Sequence, residues 1–355
     1  MKRILKLHSP ASTINSCRCV SKCPQENQKS PPHSMIKIPS FDDVVKASKR
    51  IEPFANKTPV LTSSWFNRKT GADLFLKCEN FQKVGAFKFR GACNAIFSIQ
   101  EEDGKKGIIT HSSGNHAQAV ALASKMKGYN ATIVMPENAP KVKVNAVREY
   151  GAEIVFCEST IESRQKTTDK IIDKTGATFI HPYDDLKVIA GQATCAKELL
   201  EAIPDLDIIV TPIGGGGLIS GTLLSVAKLN PNIMVYGVEP EWADDAKRSL
   251  QSGVIEPVLR TDTIADGLRT SLGKIPFQII KEHIEDIVTV SEESVVRDMK
   301  TVWERMKIII EPSCAVPVSA IIDNKISVEG KKVGVIITGG NIDLENLPWM
   351  NSTNP

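Results

Sequence analysis

The sequence predicts an α/β protein of two domains, parallel sheets flanked by helices, with a cleft between them. Three observations carry this. The chain has 355 residues, enough for about two domains and a large core. From residue 107 onward, short apolar strands alternate with helical segments. Such β-then-α alternation with apolar strands builds parallel sheet. Glycine-bearing turns sit at two strand-to-helix junctions, 111–116 and 214–217, the places where open α/β sheets take ligands.

In chain order, Ser40 with Asp43 reads as an N-cap with an acid at N3, opening a helix through about residue 51. Pro59 precedes a short strand at 60–63, and 74–77 is another. A helix follows the turn at Lys88 and runs to about 99. The alternation then gives strand 107–110 and a helix from Asn115, and strand 132–135 and a helix through Tyr150, closed by Gly151. Strand 153–156, helix 161–174 and strand 178–180 continue it. The loop from His181 to Asp185 reads as a domain boundary. Beyond it come helix 190–202, strand 207–211, helix 218–229, strand 234–239, helix 243–252, strand 286–290 and helix 292–307. A helix from Cys314 and strand 332–338 finish the pattern. The expected division is a disordered or targeting tail at 1–34, a large domain of 35–106 with 185–355, and a small mobile domain of 107–184.

Bulk composition narrows the function. Hydrophobic content of 41% and charged content of 24% are ordinary for a globular protein. A net charge of +3 is too small to point to nucleic acid or a membrane surface, and no apolar run is long enough to span a bilayer. Most of the charge lies in the first 34 residues, where six Lys or Arg face Glu26 alone. That basic, Ser-containing tail leaves a mitochondrial transit peptide open as the alternative to a cytoplasmic protein. Cys17, Cys19 and Cys23 cluster in it. Cys78, Cys93, Cys157, Cys195 and Cys314 are scattered through apolar segments, as buried free thiols in a reducing compartment would be.

Four stretches carry chemistry. Lys88 lies between Phe87 and Phe89, with Gly85 and Gly91 three residues to either side. Desolvation and a nearby helix N-terminus both disfavour an ammonium, so this amine reads as a nucleophile, with a lysine snorkelling beside two core phenylalanines as the plain alternative. Gly214, Gly215, Gly216 and Gly217 follow an apolar strand and open a helix at Leu218. Converging backbone N–H groups there suit a phosphate. A dinucleotide site competes for this stretch, because Glu239 ends the next strand. His111, Ser112, Ser113, Gly114, Asn115 and His116 form a second helix-opening turn, suited to a carboxylate and a phenolic oxygen or to simple capping. Thr338, with Gly339, Gly340 and Asn341, ends the last strand and offers a neutral hydroxyl. An aldehyde, a phosphate and a ring nitrogen would satisfy these parts together, and pyridoxal phosphate has all three.

With these residues in view, the chain resembles the fold-type II pyridoxal-phosphate enzymes with their tryptophan-synthase-beta-like fold, and among them the serine racemase and serine/threonine dehydratase group. The likeness runs from about Pro39 to Leu344. It takes in the Lys88 stretch, the 112–116 turn, residues 181–185, the four glycines, 239–245 and 303–307, in order. The resemblance implies a cofactor in the interdomain cleft, with Lys88 as the Schiff-base lysine and the proton carrier on one face. Ser113 would serve the opposite face. Asn115 would bond the phenolic oxygen, Gly214 to Gly217 with Leu218 the phosphate, and Thr338 the pyridine nitrogen. Ser112, Ser113, Asn115, His116 and Arg164 would meet the substrate.

A hydroxyl on the ring nitrogen makes the ring a weaker electron sink, so loss of a β-hydroxyl competes with reprotonation. The resemblance also implies a divalent-metal site at Glu239, the Ala243 carbonyl and Asp245, suited to Mg²⁺ with Ca²⁺ or Mn²⁺ as alternatives. It implies a homodimer, and in some eukaryotic members an ATP site matching Ser63, Ser64, Lys83, Gln118, Tyr150, Lys307 and Asn341. Val84 and Ala86 depart from the pattern, where threonine and serine are expected, and Cys314 stands where glycine is expected, beside Glu311. The function expected is a serine racemase and L-serine (threonine) ammonia-lyase, with threonine and 3-hydroxyaspartate as further substrates. A threonine ammonia-lyase with little racemase activity is the near alternative. A cofactor-binding relative without turnover and a nicotinamide-dependent oxidoreductase are the more distant ones.

Overall fold

A computed structural model describes residues 36–139 and 141–350. The basic tail and its three cysteines lie outside them. Ser40 opens the first helix, α1 (Phe41–Ile51), with a reciprocal box: its Oγ accepts from Asp43 N at 3.2 Å, and the Asp43 carboxylate accepts from Ser40 N at 3.0 Å. Next come β1 (Val60–Leu61), α2 (Ser64–Thr70), β2 (Asp73–Cys78), α3 (Lys88–Phe97) and α4 (Glu101–Lys105). The following stretch holds β3 (Ile108–His111), α5 (Asn115–Lys127), β4 (Ala131–Pro136), α6 (Lys141–Glu149), β5 (Glu153–Cys157), α7 (Ile161–Thr175) and β6 (Thr178–Phe179). Then follow α8 (Leu186–Ala202), β7 (Ile208–Pro212), α9 (Gly217–Leu229), β8 (Met234–Pro240) and α10 (Asp245–Ser252). The chain closes through α11 (Lys274–His283), β9 (Asp286–Val290), α12 (Glu292–Met306), α13 (Pro312–Ile322) and β10 (Lys332–Ile337).

The strands form two sheets. One has the order β1-β2-β10-β7-β8-β9, the other β5-β4-β3-β6. Every pairing is parallel except that of β1 with β2. The larger sheet is covered on both faces, so its inner strands are apolar throughout: all five residues of β7 are buried. β10 lies between β2 and β7. In consequence the turn after β3, the glycine loop after β7 and Thr338 after β10 all leave the carboxyl ends of strands.

Three helices go beyond the sequence expectation. α2 and α4 are 7 and 5 residues long, too short for a helical period to show. α11 carries Pro276 in its first turn, where proline is tolerated because that N–H has no helical partner. α8 starts four residues earlier than expected, because the Asp185 carboxylate accepts from Lys187 N (2.7 Å) and Val188 N (2.8 Å) and caps it.

A buried charge cluster fixes α3 against α8. Arg90 is wholly buried and donates to Glu79 (Nε to Oε2, 2.7 Å) and Glu198 (Nη1 to Oε1, 2.7 Å). Lys77 donates to Glu198 at 2.7 Å and to the Thr58 carbonyl at 2.8 Å. The two helices meet backbone to backbone: a Cβ on Gly191 would fall 2.6 Å from Arg90 O and 2.7 Å from Gly91 Cα. Lys88 thus begins a helix that is held on a rigid base two residues away. The five described cysteines are free and buried, and no helix among the described residues is long and apolar enough to cross a membrane.

Candidate active site

Lys88 stands at the first position of α3. The helix start is tied to the end of β10, because Phe87 N donates to Thr338 O at 2.9 Å and Ala86 bridges Gly339. The Lys88 ammonium donates to Pro182 O at 3.0 Å and lies 5.2 Å from the Phe87 ring centroid. Burial pushes its pKa down to about 8, and the charge of Glu311 partly opposes this. About a tenth of the amine is therefore neutral at pH 7, against a few parts in ten thousand for an ordinary lysine.

The glycine loop is shaped by what lies on it. A Cβ on Gly215 would meet the Tyr183 ring at 2.3 Å, and one on Gly217 the Tyr183 main chain at 3.1 Å. A Cβ on Gly214 would meet Gly267 O at 3.0 Å. Gly216 has φ 87° and caps α9 with no side chain, so the first-turn N–H groups of α9 remain open to an anion. Pro182 and Tyr183 thus touch both the lysine and the phosphate-type loop. Asp184 beside them accepts from Ile275 N at 2.9 Å and Lys274 N at 3.1 Å, capping α11.

The 112–116 turn opens α5, whose N-cap Gly114 makes no side-chain bond. Ser112 Oγ accepts from Gly114 N at 3.3 Å; Ser113 is half-buried beside it. Asn115 Nδ2 donates to both oxygens of Glu311 (2.9 and 3.1 Å), while its Oδ1 accepts from Asn341 Nδ2 at 2.9 Å. Asn341 Nδ2 also reaches Val84 O at 2.7 Å. Val84 holds φ 56°, a strained value for a β-branched residue. Burial, with the charge of Asp266, raises the Glu311 pKa to about 7. His116 Nε2 lies 3.0 Å from Ile180 O, so Nε2 carries the proton, and Nδ1 is left buried without a hydrogen-bond partner among the described residues. Burial and the charge of Lys88 hold His116 neutral.

Lys88 is thus linked through Pro182 to the Tyr183 that lies on the glycine loop, through Phe87 to the main chain of Thr338, and by charge to His116 and to the Glu311 that Asn115 holds. Arg164 sits in the first turn of α7, near enough to His111 to help lower its pKa after burial; its Nε is buried without a partner among the described residues. Glu239 and Asp245 are both buried. Glu239 accepts from Ala246 N and Lys247 N, each at 2.9 Å, and Asp245 Oδ1 has no partner among the described residues. Burial lifts Glu239 well above the usual carboxylate range and Asp245 to about 7. Two buried carboxylates and an orphan oxygen fit a hard cation, with the Ala243 carbonyl beside them in the chain. Among the described residues no group of three His, Cys, Asp or Glu side chains could hold a metal, so such a cation would depend on main-chain oxygen and water.

Of the residues matched to a nucleotide, Ser63 and Ser64 line an open hollow of about 360 Å³ with Leu61, Thr62, Arg305 and Met306. Lys307 follows in the left-handed region (φ 59°), its Nζ on Glu304 O at 2.6 Å. Lys83 N donates to Gln82 Oε1 at 2.9 Å, Gln118 is buried on α5, and Tyr150 packs on the cluster that includes Val84. Sequence reasoning did not foresee the contacts of Pro182 and Tyr183 or the Arg90 cluster. An arginine directly after Phe89, at the start of an apolar helix, was the available signal for the latter.

A family model described as pyridoxal-phosphate dependent enzyme matches residues 51–339. The chain is 50% identical over 312 residues to serine racemase of Dictyostelium discoideum, covering 87% of this chain and 96% of that one. A crystal structure of the serine racemase from that organism matches with TM-score 0.83 over 86% of this chain and 99% of that chain. Identity is 47% over 312 residues to beta-hydroxyaspartate dehydratase of Paracoccus denitrificans, with 88% and 99% covered. The structure of maize serine racemase matches at 42% identity and TM-score 0.86, with 88% and 97% covered.

Proposed function

The chain belongs to the pyridoxal-phosphate dependent enzymes, as a racemase and/or hydroxy-amino-acid dehydratase, and on that footing we propose that it racemises serine and dehydrates serine, threonine and 3-hydroxyaspartate. The observation that carries this reading is that two ligand-ready features, the glycine loop and Thr338, are linked to one amine. Lys88 lies against Pro182 O, the neighbouring Tyr183 lies on the glycine loop, and Thr338 is bonded to Phe87.

The residues fit the cofactor. Gly214 to Gly217 leave room where side chains would collide, the α9 N-terminus favours phosphate, and Asn115 presents an amide beside Glu311. When bound, pyridoxal phosphate withdraws electrons from the α-carbon of an attached amino acid. Lys88, partly neutral at pH 7, takes the α-proton on its face. Ser113 holds a proton for the opposite face, and delivery from there inverts the amino acid. The α5 N-terminus binds the substrate α-carboxylate through the Ser112 hydroxyl and the main-chain N–H groups of Asn115 and His116. Arg164 receives a second carboxylate when the substrate is hydroxyaspartate, its orphan Nε being the open donor. Departure of the β-hydroxyl as water leads instead to keto acid and ammonia.

A divalent cation at Glu239, Ala243 and Asp245 would neutralise two buried carboxylates and steady the start of α10. Within the same reading the enzyme is a cytoplasmic homodimer, and ATP binds through Ser63, Ser64, Lys83, Gln118, Tyr150, Lys307 and Asn341. The test is a product survey of the purified enzyme on L-serine, D-serine, L-threonine and hydroxyaspartate, with and without Mg²⁺ and ATP, by chiral separation and keto-acid detection. Inverted serine together with pyruvate supports the reading. Rapid 2-oxobutanoate from threonine with no inverted serine replaces it by a threonine ammonia-lyase.

A further inference from the structure

We propose that Cys314 is a positioning residue for Thr338: its thiol fixes the rotamer of the threonine hydroxyl and leaves that hydroxyl's proton for the ring nitrogen of the cofactor. The inference rests on, and deepens, the placement of Thr338 against that nitrogen.

The first turn of α13 slides Cys314 under the end of β10. Its Sγ lies 3.1 Å from Thr338 Oγ1, 2.8 Å from Gly339 O and 2.9 Å from Gly339 N. The sulfur is wholly buried and Thr338 is 3% exposed. Thr338 O in turn accepts from Phe87 N at 2.9 Å, so the Cys314–Thr338 pair is one residue removed from Lys88. Glu311, the residue that opens α13, donates from its own N to Gly339 O at 3.1 Å.

Counting protons gives the direction. Gly339 N–H can only donate, so it donates to the sulfur. Gly339 O can only accept, so it takes the single thiol proton. Burial first, and the nearby Glu311 charge second, raise the thiol pKa far above the physiological range, and the group stays S–H. Among the described residues the Thr338 hydroxyl is then offered only a sulfur lone pair, a weak acceptor. An aromatic ring nitrogen is a much better one, and the hydroxyl proton turns to it when the ring is present. The thiol's part is steric and directional: held at both ends by Gly339, it sets where Oγ1 can be without competing for its proton. Glycine at 314, which the family pattern expects, would leave the rotor without this neighbour.

The consequence is chemical. A hydroxyl that donates to the ring nitrogen keeps the ring a weak electron sink, which favours loss of the β-hydroxyl over reprotonation. One neutral hydrogen bond set or unset corresponds to about a two- to tenfold change in the product ratio.

The experiment compares holoenzymes: wild type, Cys314→Ala, Cys314→Ser, Thr338→Val and the double variant Cys314→Ala with Thr338→Val. The readouts are the absorption and fluorescence-excitation bands of the bound cofactor, the ratio of elimination to racemisation on L-serine, and the melting temperature. Expected is a shift in the band balance and about a two- to tenfold change in ratio for Cys314→Ala. Thr338→Val should also shift the bands, and Cys314→Ala should add nothing on that background. Cys314→Ser replaces the weak acceptor by a strong one that competes for the Thr338 proton; it should move the bands too, and it serves if the alanine variant does not fold. The proposal is overturned if Thr338→Val moves the bands while both Cys314 variants leave them unchanged, or if the Cys314→Ala shift persists in full without the Thr338 hydroxyl. Unchanged bands in Thr338→Val would instead bring down the placement of Thr338 itself, and the proposal with it.

Discussion

Gly215→Ala tests whether the glycine loop is shaped by Tyr183 or is merely flexible. The new Cβ would lie 2.3 Å from Tyr183 Cγ and Cδ1 and 2.4 Å from Cδ2, so ring and loop must part by about 1 Å to reach ordinary contact. The ring has little freedom to retreat. It stands edge-on to His181 with centroids 4.7 Å apart, its hydroxyl lies near Thr270, and its main chain abuts Gly217. The strain therefore falls on the loop that must close round a phosphate. Overpacking of this kind costs about 1–3 kcal/mol, and if it is expressed in binding, affinity for pyridoxal phosphate falls about 5- to 150-fold. Tyr183→Ala removes the obstacle. Spectrophotometric titration of apo-protein should then find the double variant within about twofold of Tyr183→Ala alone. Wild-type affinity in Gly215→Ala, or an undiminished loss on the Tyr183→Ala background, would refute the packing argument.

Further outcomes follow from the buried charges. Because burial lowers Lys88 to about 8, its neutral form appears at a lower pH than in an ordinary lysine. Cofactor uptake by apo-protein should rise about tenfold per pH unit up to about pH 8 and level off above it; a rate still climbing at about pH 10 contradicts the lowered value. Arg90→Met leaves buried Glu79 without a cation and Glu198 with Lys77 alone, and should lower unfolding stability by about 3–5 kcal/mol in denaturant titrations, whereas a loss under about 1 kcal/mol would mean the cluster is not a paired one. Mg²⁺ at about 100 times its dissociation constant should raise stability by about 2.7 kcal/mol. Asp245→Asn should abolish that gain in thermal melts, and a gain that survives would place the cation elsewhere.

Much of the fold was legible because parallel sheet writes itself into sequence. Apolar runs such as 208–212 are buried on both faces, and the glycines that follow them mark where chain must approach ligand. Helix ends were readable where a cap is local, as at Ser40, and unreadable where two acids in series, Asp184 and Asp185, divide the work between capping α11 and capping α8. The site was legible as separate stretches but not as contacts. Lys88 meets Pro182 across 94 residues and Arg90 meets Glu198 across 108, and no local pattern encodes such pairs. Glu311 shows the middle case: a single carboxylate in the apolar stretch 308–316 signals a buried role, but only the fold reveals Asn115 and Asn341 as its partners.

Every role given to the residues around it depends on Lys88 carrying the cofactor. Borohydride reduction of pyridoxal-phosphate-loaded enzyme, followed by peptide mass mapping, measures this directly. The prediction is one stable pyridoxyl adduct on the peptide containing Lys88, with loss of the visible band. An adduct confined to other lysines, or no adduct on a coloured protein, would contradict it.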